Sequence, residues 1–423
     1  MERNSLREIA LDQRRIFSKK PRGTKRDALD AFGRHIGKPH AVVISGVRRC
    51  GKSTLLLQIA DKYFGDDYFY FNFEDDRLIG FTPRDFSLLH EVLIECFGEQ
   101  KVFLLDEIQN APGWEGFLHR MQEAGFKFVI TGSNASLLSR ELGTKLTGRH
   151  LGVELYPFSF IELARHCDVD VSERNLLTPA GRAGIAKLFA RYRLHGGFPQ
   201  YLAYNDPEIL SQLYDDILYR DVAARHDIKN IRELKELAIY YMSNVSALSS
   251  FNRLKKAFGM GSVTTVSSYT EYLEQSYLIS SVNVFDYSVK RKAIAPKKVY
   301  AIDTGLANIV SLSFSKNLGP LAENIVFLEL MRRGLDVSYY KTQSGCEVDF
   351  ACVAGRKIAG LIQVSHSISD KTTFERETRA LFEAMQETGM RRATILTENE
   401  HEAIASKGMR IYVIPIAQWL LGM

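Results

Sequence analysis

The stretch that decides the fold is AVVISGVRRCGKSTLLLQIA, residues 41–60. Its first residues, AVVIS, are mostly apolar and β-branched, which favours a buried strand. A loop framed by Gly46 and Gly51 follows, and the chain then continues with the apolar pattern of a helix. This order of strand, tight loop and helix predicts the first unit of a parallel, helix-covered sheet.

The loop matches the pattern G-x-x-x-x-G-K-[ST] at every position. Glycines at both ends let consecutive backbone N–H groups turn inward into an anion-binding nest, and the positive end of the next helix faces the same point. In this pattern the lysine reaches the β- and γ-phosphates of a nucleotide, and the hydroxyl residue binds Mg²⁺. A plain βα turn is the alternative. The sequence therefore predicts an ATP and Mg²⁺ site made of Gly46, Val47, Arg48, Arg49, Cys50, Gly51, Lys52, Ser53 and Thr54.

A pair of carboxylates ends a second apolar run, KVFLLDEIQNAPGW, downstream of the loop. Asp106 is predicted to bind Mg²⁺ together with Ser53. Glu107 is predicted to orient and deprotonate the water that attacks the γ-phosphate, with Lys52 neutralising charge. Acidic residues at a strand end are also typical of a turn or a helix N-cap, but the phosphate loop upstream favours the catalytic interpretation.

Further polar candidates follow the next strand, which ends in ITGSN. Asn134 is predicted to hold the attacking water, with Thr131 or Ser133 as alternatives. A helix N-cap explains the pair Ser133-Asn134 equally well. Arg149, in LTGRH, is predicted to neutralise transition-state charge, including that on a neighbouring subunit's nucleotide. Arg140 is the second candidate, and ordinary surface salt bridges explain both arginines equally well.

The composition is that of an ordinary globular protein, with 423 residues of which 45% are hydrophobic and 25% charged. The net charge of +5 permits a nucleic-acid partner without requiring one. The five cysteines are scattered, suggest no disulfide framework and include no pair with zinc-ligand spacing. There is no signal-peptide core and no apolar stretch long enough to span a membrane, so we expect a cytoplasmic protein without membrane contact.

Five regions are expected along the chain. They are a basic N-terminal segment (1–40), a P-loop core (41–165), a helical region (166–230), a winged helix-turn-helix (231–310) and a small α/β domain (315–423). The core alternates buried-type strands with helical patterns, and three helical patterns followed by two strand signals predict the winged helix. The predicted fold class is therefore α/β, built on a parallel P-loop sheet.

Basic side chains are concentrated in two places. The N-terminal segment contains Arg14, Arg15, Lys19, Lys20, Arg22, Lys25, Arg26, Arg34 and Lys38. A solvated face is the favoured interpretation, with contact to DNA or an acidic partner as the alternative. The winged helix has the basic residues Arg253, Lys255 and Lys256 before its expected recognition helix and a second group in the wing. The second group, which is expected to clamp phosphates, consists of Lys290, Arg291, Lys292, Lys297 and Lys298. The expected recognition helix begins with the polar residues Ser262, Thr264, Thr265 and Ser268 and lacks basic groups, so a lid or protein contact stays an alternative.

Several segments together resemble a family of bacterial and archaeal AAA-type ATPases with a C-terminal region of unassigned function. They are SGVRRCGKST, FLLDEIQNAPGWE, ITGSNASLLSRELGTKLTGRHLGVELYPFSF, HGGFPQYL and LYRDVAARHDI. The resemblance covers nearly the whole chain. It implies an AAA-like core, then a winged helix, then a domain similar to PD-(D/E)xK restriction endonucleases.

The endonuclease-like site implied by that resemblance is incomplete. Such sites combine a helical Glu, a strand Asp and a Glu-x-Lys on the next strand, which hold Mg²⁺ and activate water. Glu323 and Asp349 match the first two positions, whereas Gln363 and Ser365 stand where Glu and Lys are expected. Glu347, two residues before Asp349 on the same strand, is a candidate substitute. The missing lysine predicts a degenerate domain used for binding or oligomer contacts, and nuclease activity is not expected.

Taken together, the motifs predict an ATPase. ATP binding and hydrolysis with Mg²⁺ are expected to drive a conformational switch in a DNA-associated process. One alternative is a nucleotide-gated regulator of a protein partner without nucleic acid, and another is an ATP-controlled nuclease. DNA, a protein partner and further copies of the chain are the expected partners.

Overall fold

The structure is a computed structural model of the chain and describes residues 1–133, 150–311 and 318–422. The chain divides into two compact units, Met1–Tyr156 and Pro157–Met423. Among the described residues, no helix combines the length and apolar character needed to cross a membrane.

The first unit is built on a five-stranded sheet with the order β2-β3-β4-β1-β5, in which every neighbouring pair is parallel. Its strands are β1 (Ala41–Ser45), β2 (Phe69–Asn72), β3 (Val102–Asp106), β4 (Lys127–Gly132) and β5 (His150–Glu154). The predicted α/β class with a parallel sheet core is confirmed. Because parallel strands end at one edge, the residues after β1, β3 and β4 meet there.

Helices cover this sheet. They are α1 (Arg3–Lys19), α2 (Ala28–Gly33), α3 (Lys52–Ile59, extended by a π-helical turn Ala60–Phe64), α4 (Asp85–Phe97) and α5 (Trp114–Glu123). Helix α1 lies in the segment expected to be mainly a solvated basic face. It buries a stripe at helical spacing that includes Leu6, Ile9 and Phe17, and the Phe17 ring stacks on Tyr70 with centroids 3.8 Å apart. The basic residues of α1 therefore accompany an apolar face that belongs to the core.

The second unit begins with helices. In chain order these are α6 (Phe160–His166), α7 (Glu173–Leu176), α8 (Pro179–His195), α9 (Pro199–Tyr204), α10 (Pro207–Asp216, extended by a π-helical segment Ile217–Ala224), α11 (Ile231–Ser243), α12 (Phe251–Phe258) and α13 (Val263–Gln275). An antiparallel sheet of order β6-β8-β7 accompanies the last three. Its strands are β6 (Leu248–Ser249), β7 (Ile279–Val282) and β8 (Lys297–Ala301), with α14 (Val289–Ile294) between the last two. We call α11 to β8 the three-stranded module.

A six-stranded mixed sheet of order β13-β14-β12-β11-β10-β9 forms the C-terminal part. Its strands are β9 (Asp336–Lys341), β10 (Glu347–Ala354), β11 (Lys357–Val364), β12 (Arg392–Thr397), β13 (Glu402–Ser406) and β14 (Met409–Pro415). The accompanying helices are α15 (Thr304–Val310), α16 (Gly319–Arg332), α17 (Lys371–Thr388) and α18 (Ile416–Leu420). Strand β13 has a mostly exposed, low-apolar sequence, so periodicity gave no signal for it.

The glycines of the HGGFP stretch fit a close approach between two segments of the second unit. Asp303 caps α15 and accepts hydrogen bonds from the Leu306 N–H (2.9 Å) and the Gly197 N–H (2.6 Å). Gly196 has φ +68°, and a Cβ there would lie 2.0 Å from an Asp303 carboxylate oxygen. Only glycine fits this position, so the turn after α8 is tied to the start of α15.

Candidate functional site

The phosphate-loop pattern forms a tight turn between β1 and α3. Gly51 has φ +103°, and Gly46 has φ +157°. A Cβ on Gly46 would lie 2.1 Å from the carbonyl oxygen of Leu155, and one on Gly51 would lie 3.2 Å from Nη1 of Arg26. No side chain fits at Gly46, and the positive φ of Gly51 is one that other residues rarely adopt, so the two glycines permit the tight loop that an anion-binding nest requires.

The remaining loop side chains point in different directions. Val47 and Cys50 are fully buried, and burial raises the pKa of the Cys50 thiol. Arg48 pairs with Glu74 at 3.2 Å, and Arg49, with φ +62°, is exposed. The loop thus keeps its backbone free to face a ligand while its side chains anchor it or reach outward.

Lys52 is 5% exposed and folds back over the loop. Its ammonium donates to the carbonyl oxygens of Gly46 (3.1 Å) and Val47 (3.3 Å), and it lies 3.6 Å from Oε1 of Glu107. A buried ammonium with carbonyl and carboxylate partners can exchange them for phosphate oxygens. Ser53 and Thr54 follow it in the first turn of α3 and are half-buried.

Asp106, the last residue of β3, is 1% exposed. Burial raises its pKa above the ordinary value, and the neighbouring Glu107 raises it further, whereas hydrogen bonds from Thr131 and Ser53 lower it. Tyr70 also donates to its second oxygen, at 3.4 Å. A buried carboxylate beside the Ser53 hydroxyl is a donor set that suits Mg²⁺, because that ion prefers oxygen ligands and one or two carboxylates.

Glu107 sits on a left-handed backbone, with φ +50° and ψ +46°. Its N–H donates to Oγ1 of Thr131 at 3.0 Å, and its Oε2 accepts from the Gln109 side-chain amide. Oε1 of Gln109 is buried and, among the described residues, has no hydrogen-bond partner. Non-glycine residues with this conformation are uncommon and concentrate at functional sites. Gln109 was not singled out from the sequence, where only its position two residues after Glu107 could have suggested a contact.

Thr131 links the Asp106 carboxylate to the backbone of Glu107. Its hydroxyl donates to Asp106 and accepts from the Glu107 N–H, so its position fixes both acids. Ser133 is buried next to it. Asn134, Arg140 and Arg149 lie outside the described residues, so their proposed roles stay predictions.

The charge pattern misassigned Arg26. It was grouped with a solvated basic segment, but it is only 3% exposed. Its guanidinium donates to the carbonyl oxygens of Cys50 (2.8 Å) and Tyr156 (2.6 Å). Arg14 and Arg22 from the same segment also bind within the first unit, Arg14 to the Tyr68 carbonyl at 2.7 Å and Arg22 to Asp61 at 2.7 Å. The solvated interpretation is wrong for Arg26, which supports the phosphate loop from behind.

The acids expected at the endonuclease-like position meet a lysine in the second unit. Lys298 of β8 lies 3.0 Å from Glu323, 2.8 Å from Glu347 and 2.8 Å from Asp349. Burial lowers the pKa of Lys298, but the attraction of the three carboxylates outweighs it and leaves the pKa above its ordinary value. Burial, helped by Asp349, raises the pKa of Glu323 to about 8. The expectation that this site lacks a lysine is wrong, because β8 supplies one.

The two departing positions have other partners. Gln363 accepts from the Asp349 N–H at 3.1 Å and donates to Glu377 at 2.8 Å, while Ser365 donates to the Ser367 carbonyl at 2.9 Å. Over the part of the chain that the structure describes, no group of three or more His, Cys, Asp or Glu residues has the geometry to hold a metal ion.

Several polar residues assigned to phosphate or base contacts have partners within the chain. Lys298 is buried in the carboxylate cluster, so its assignment to a phosphate clamp is wrong. Ser262 caps α13 by accepting from the Thr265 N–H at 3.0 Å. Arg291 pairs with Asp286 at 3.2 Å, and the Lys297 ammonium lies 5.4 Å from the centre of the Phe251 ring.

Family models match three consecutive stretches of the chain. Residues 38–164 match an AAA domain, residues 186–317 match a domain of unknown function (DUF8612), and residues 318–419 match another (DUF4143). The parallel sheet with its phosphate loop thus has the fold of an AAA-type P-loop ATPase domain.

Whole-chain relatives are found in an archaeon and a bacterium. The uncharacterized protein MJ1544 of Methanocaldococcus jannaschii is 36% identical over 396 residues, which are 90% of this chain and 88% of that protein. An uncharacterized protein of Haemophilus influenzae is 31% identical over 393 residues, 90% and 94% of the two chains. Among solved structures, that of the Aeropyrum pernix Orc1 protein in complex with DNA aligns with 73% of this chain over 91% of its own length. The sequence identity is 13% and the TM-score is 0.28.

Proposed function

This chain belongs to the same family as protein MJ1544 of Methanocaldococcus jannaschii, and on that premise we propose that it is a Mg²⁺-dependent ATPase. The observation that carries the proposal is the convergence of Lys52, Asp106 and Glu107 at one edge of the parallel sheet. Lys52 and Glu107 are 3.6 Å apart, and Thr131 joins the two acids.

Binding of the triphosphate uses the loop backbone and the Lys52 ammonium. The inward N–H groups and the start of α3 offer donors and a positive field to the phosphate oxygens. Ser53 and Asp106 would hold Mg²⁺, which neutralises charge on the phosphates when it is bound. Arg26 keeps the loop in this shape through the Cys50 carbonyl.

In the hydrolysis step, Glu107 acts as the base, and its carboxylate accepts a proton from the attacking water. Gln109 holds the Glu107 side chain in place, and Thr131 holds its backbone. Lys52 balances negative charge on the transferred phosphoryl group. Asn134 and Arg149 are proposed to complete the site as the water-holding residue and the charge-neutralising arginine.

The test compares nucleotide binding and turnover in three variants. Lys52→Ala should weaken ATP binding and abolish turnover, whereas Glu107→Gln should keep binding and lower kcat by about 10²–10⁴-fold. Glu99→Gln makes the same substitution at an exposed residue between α4 and β3, and this control should match wild type in both binding and turnover. Normal turnover by Glu107→Gln would remove Glu107 as the base. Failure of wild type to bind ATP would overturn the proposal as a whole.

We also propose that the three-stranded module is a winged helix that contacts DNA, and that ATP hydrolysis changes this contact. Helices α11 to α13 followed by β7 and β8 have the layout of that motif. Exposed Arg253, Lys256 and Lys290 support phosphate contacts. The adjoining C-terminal sheet is proposed to keep an endonuclease-like fold without nuclease activity, and the free cysteines agree with a cytoplasmic setting.

Binding to a labelled duplex, measured by fluorescence anisotropy, tests the DNA proposal. Affinity should fall steeply between about 50 and 200 mM salt, and Lys290→Glu should weaken it several-fold. Lys407→Glu, which changes an exposed lysine in the hairpin between β13 and β14, is the control and should bind as wild type does. If no binding occurs at low salt, a protein partner without nucleic acid is the remaining candidate.

A further inference from the structure

The ammonium of Lys298 is saturated by carboxylates. An ammonium has three N–H donors, and three acidic side chains lie within 3.0 Å of this one: Glu323, Glu347 and Asp349. Lys298 is 2% exposed, so solvent does not compete for these contacts. We call the four residues the lysine cage.

Two of the three acids, Glu323 and Asp349, are held by a second contact. Tyr300, two residues after Lys298 on β8, donates to Glu323 at 2.7 Å. The second oxygen of Asp349 accepts from the Val364 N–H at 2.9 Å. Because α16, β10 and β8 each supply part of the cage, the contacts join the three-stranded module to the C-terminal sheet. The cage is therefore a built feature of the core and not an accident of surface side chains.

The position of the ammonium is that of a cation shared by several acids. Glu323 and Asp349 are largely buried and Glu347 is partly exposed. Carboxylates this close together repel one another unless a positive charge lies between them, and removing that charge leaves uncompensated negative groups. A divalent ion satisfies such a set by binding oxygens directly, whereas an ammonium does so by donating hydrogen bonds. Both cannot occupy the same point between the acids.

We propose that Lys298 is the resident cation of this cage, takes the place that a divalent metal ion would occupy, and clamps β8 to the C-terminal sheet. The lysine is thus a structural counter-ion and has no free N–H to offer a phosphate group. Wild-type protein should fold without any metal in the second unit. Removal of the ammonium alone should convert the cage into a site for a divalent cation.

The experiment uses the full chain without nucleotide and Mn²⁺ as the probe. In a Trp114→Phe background the remaining Trp419, on α18, reports on the second unit. In this background, Lys298→Met should lower the unfolding temperature of the second unit by on the order of 10 °C, and Mn²⁺ should restore at least half of that loss. Lys297→Met, whose ammonium lies over the Phe251 ring outside the cage, is the matched control and should change neither reading.

Direct Mn²⁺ titration followed by electron paramagnetic resonance completes the test. Wild type and Asp349→Asn should bind the same number of Mn²⁺ ions. Lys298→Met should bind one additional ion per chain, and this additional ion should be lost when Lys298→Met is combined with Asp349→Asn. Mn²⁺ binding by wild type that disappears in Asp349→Asn would overturn the proposal, because the acids would then hold a metal beside the lysine. Unchanged stability in Lys298→Met would overturn it as well. Should Lys298→Met not fold, the comparison of wild type with Asp349→Asn still decides the outcome.

Discussion

Replacing Arg26 with methionine tests whether the N-terminal segment shapes the phosphate loop. The guanidinium is buried and donates to the carbonyl oxygens of Cys50 and Tyr156 at 2.8 and 2.6 Å. Cys50 immediately precedes the second loop glycine, so a shift of its carbonyl changes the N–H groups that face the nucleotide. Methionine keeps most of the aliphatic volume and removes the donors.

The size of the effect follows from these two contacts. A hydrogen bond to a charged group contributes about 1.5–3 kcal/mol, so the two together amount to roughly 3–6 kcal/mol. Removing the guanidinium also removes the cost of its own burial, which leaves a net loss of about 2–4 kcal/mol. If half of that loss falls on the loop conformation, ATP affinity decreases about 5-fold to 30-fold.

Calorimetric titration with ATP and thermal unfolding of the same samples measure both parts of the prediction. Arg22→Met is the matched control, because Arg22 belongs to the same segment and makes an ion pair with Asp61 on the surface. An exposed pair of this kind contributes about 0–1 kcal/mol, so the control should bind ATP nearly as wild type does. Equal ATP affinity in Arg26→Met and Arg22→Met would refute the assigned role of Arg26.

Three further predictions follow from individual contacts. Thr131→Val should lower kcat about 10-fold to 100-fold with little change in ATP affinity, since both acids lose their fixed position, and an equal loss in affinity would contradict this. Tyr300→Phe should lower the free energy of unfolding of the second unit by about 1–3 kcal/mol in urea titrations, because Glu323 loses a donor, and a negligible change would contradict it. Burial raises the pKa of Asp303 to about 6 from 3.8. Between pH 4 and pH 6 the folded carboxyl therefore keeps its proton while the unfolded one ionises. The free energy of unfolding of wild type, relative to that of Asp303→Asn, should fall by about 3 kcal/mol over this range and level off above it. A difference that does not change with pH would contradict this.

The parts of the nucleotide site that could be predicted from sequence are local. Gly46 to Ser53 lie within one turn, and Asp106 and Glu107 end a single apolar run. The parallel topology then brings the ends of β1 and β3 to the same edge of the sheet, so two local motifs that are distant in sequence meet in space. Thr131 could be suspected for the same reason, because it lies near the end of the strand between β1 and β3.

The contacts that escaped prediction join residues far apart in the chain. Arg26 meets carbonyl groups 24 and 130 residues away, and a backbone carbonyl has no signature in the sequence. A run of basic residues therefore looked uniformly solvated, although one member is buried and the apolar stripe of α1 places the segment against the sheet. Charge pattern records how many ionic groups a segment has, and burial decides which of them act inside the protein.

The contacts of Lys298 in the second unit also join residues that are distant in sequence. Two adjacent lysines, Lys297 and Lys298, have one sequence context, but successive strand residues face opposite sides. Lys297 lies over an aromatic ring, while Lys298 meets acids 25 and 51 residues further along the chain. The endonuclease-like pattern places its lysine at Ser365, just after β11, whereas the structure supplies the positive charge from a strand of a different sheet. A motif lost at its usual position can therefore be electrostatically complete, because a lysine that is distant in sequence supplies the positive charge between the acids.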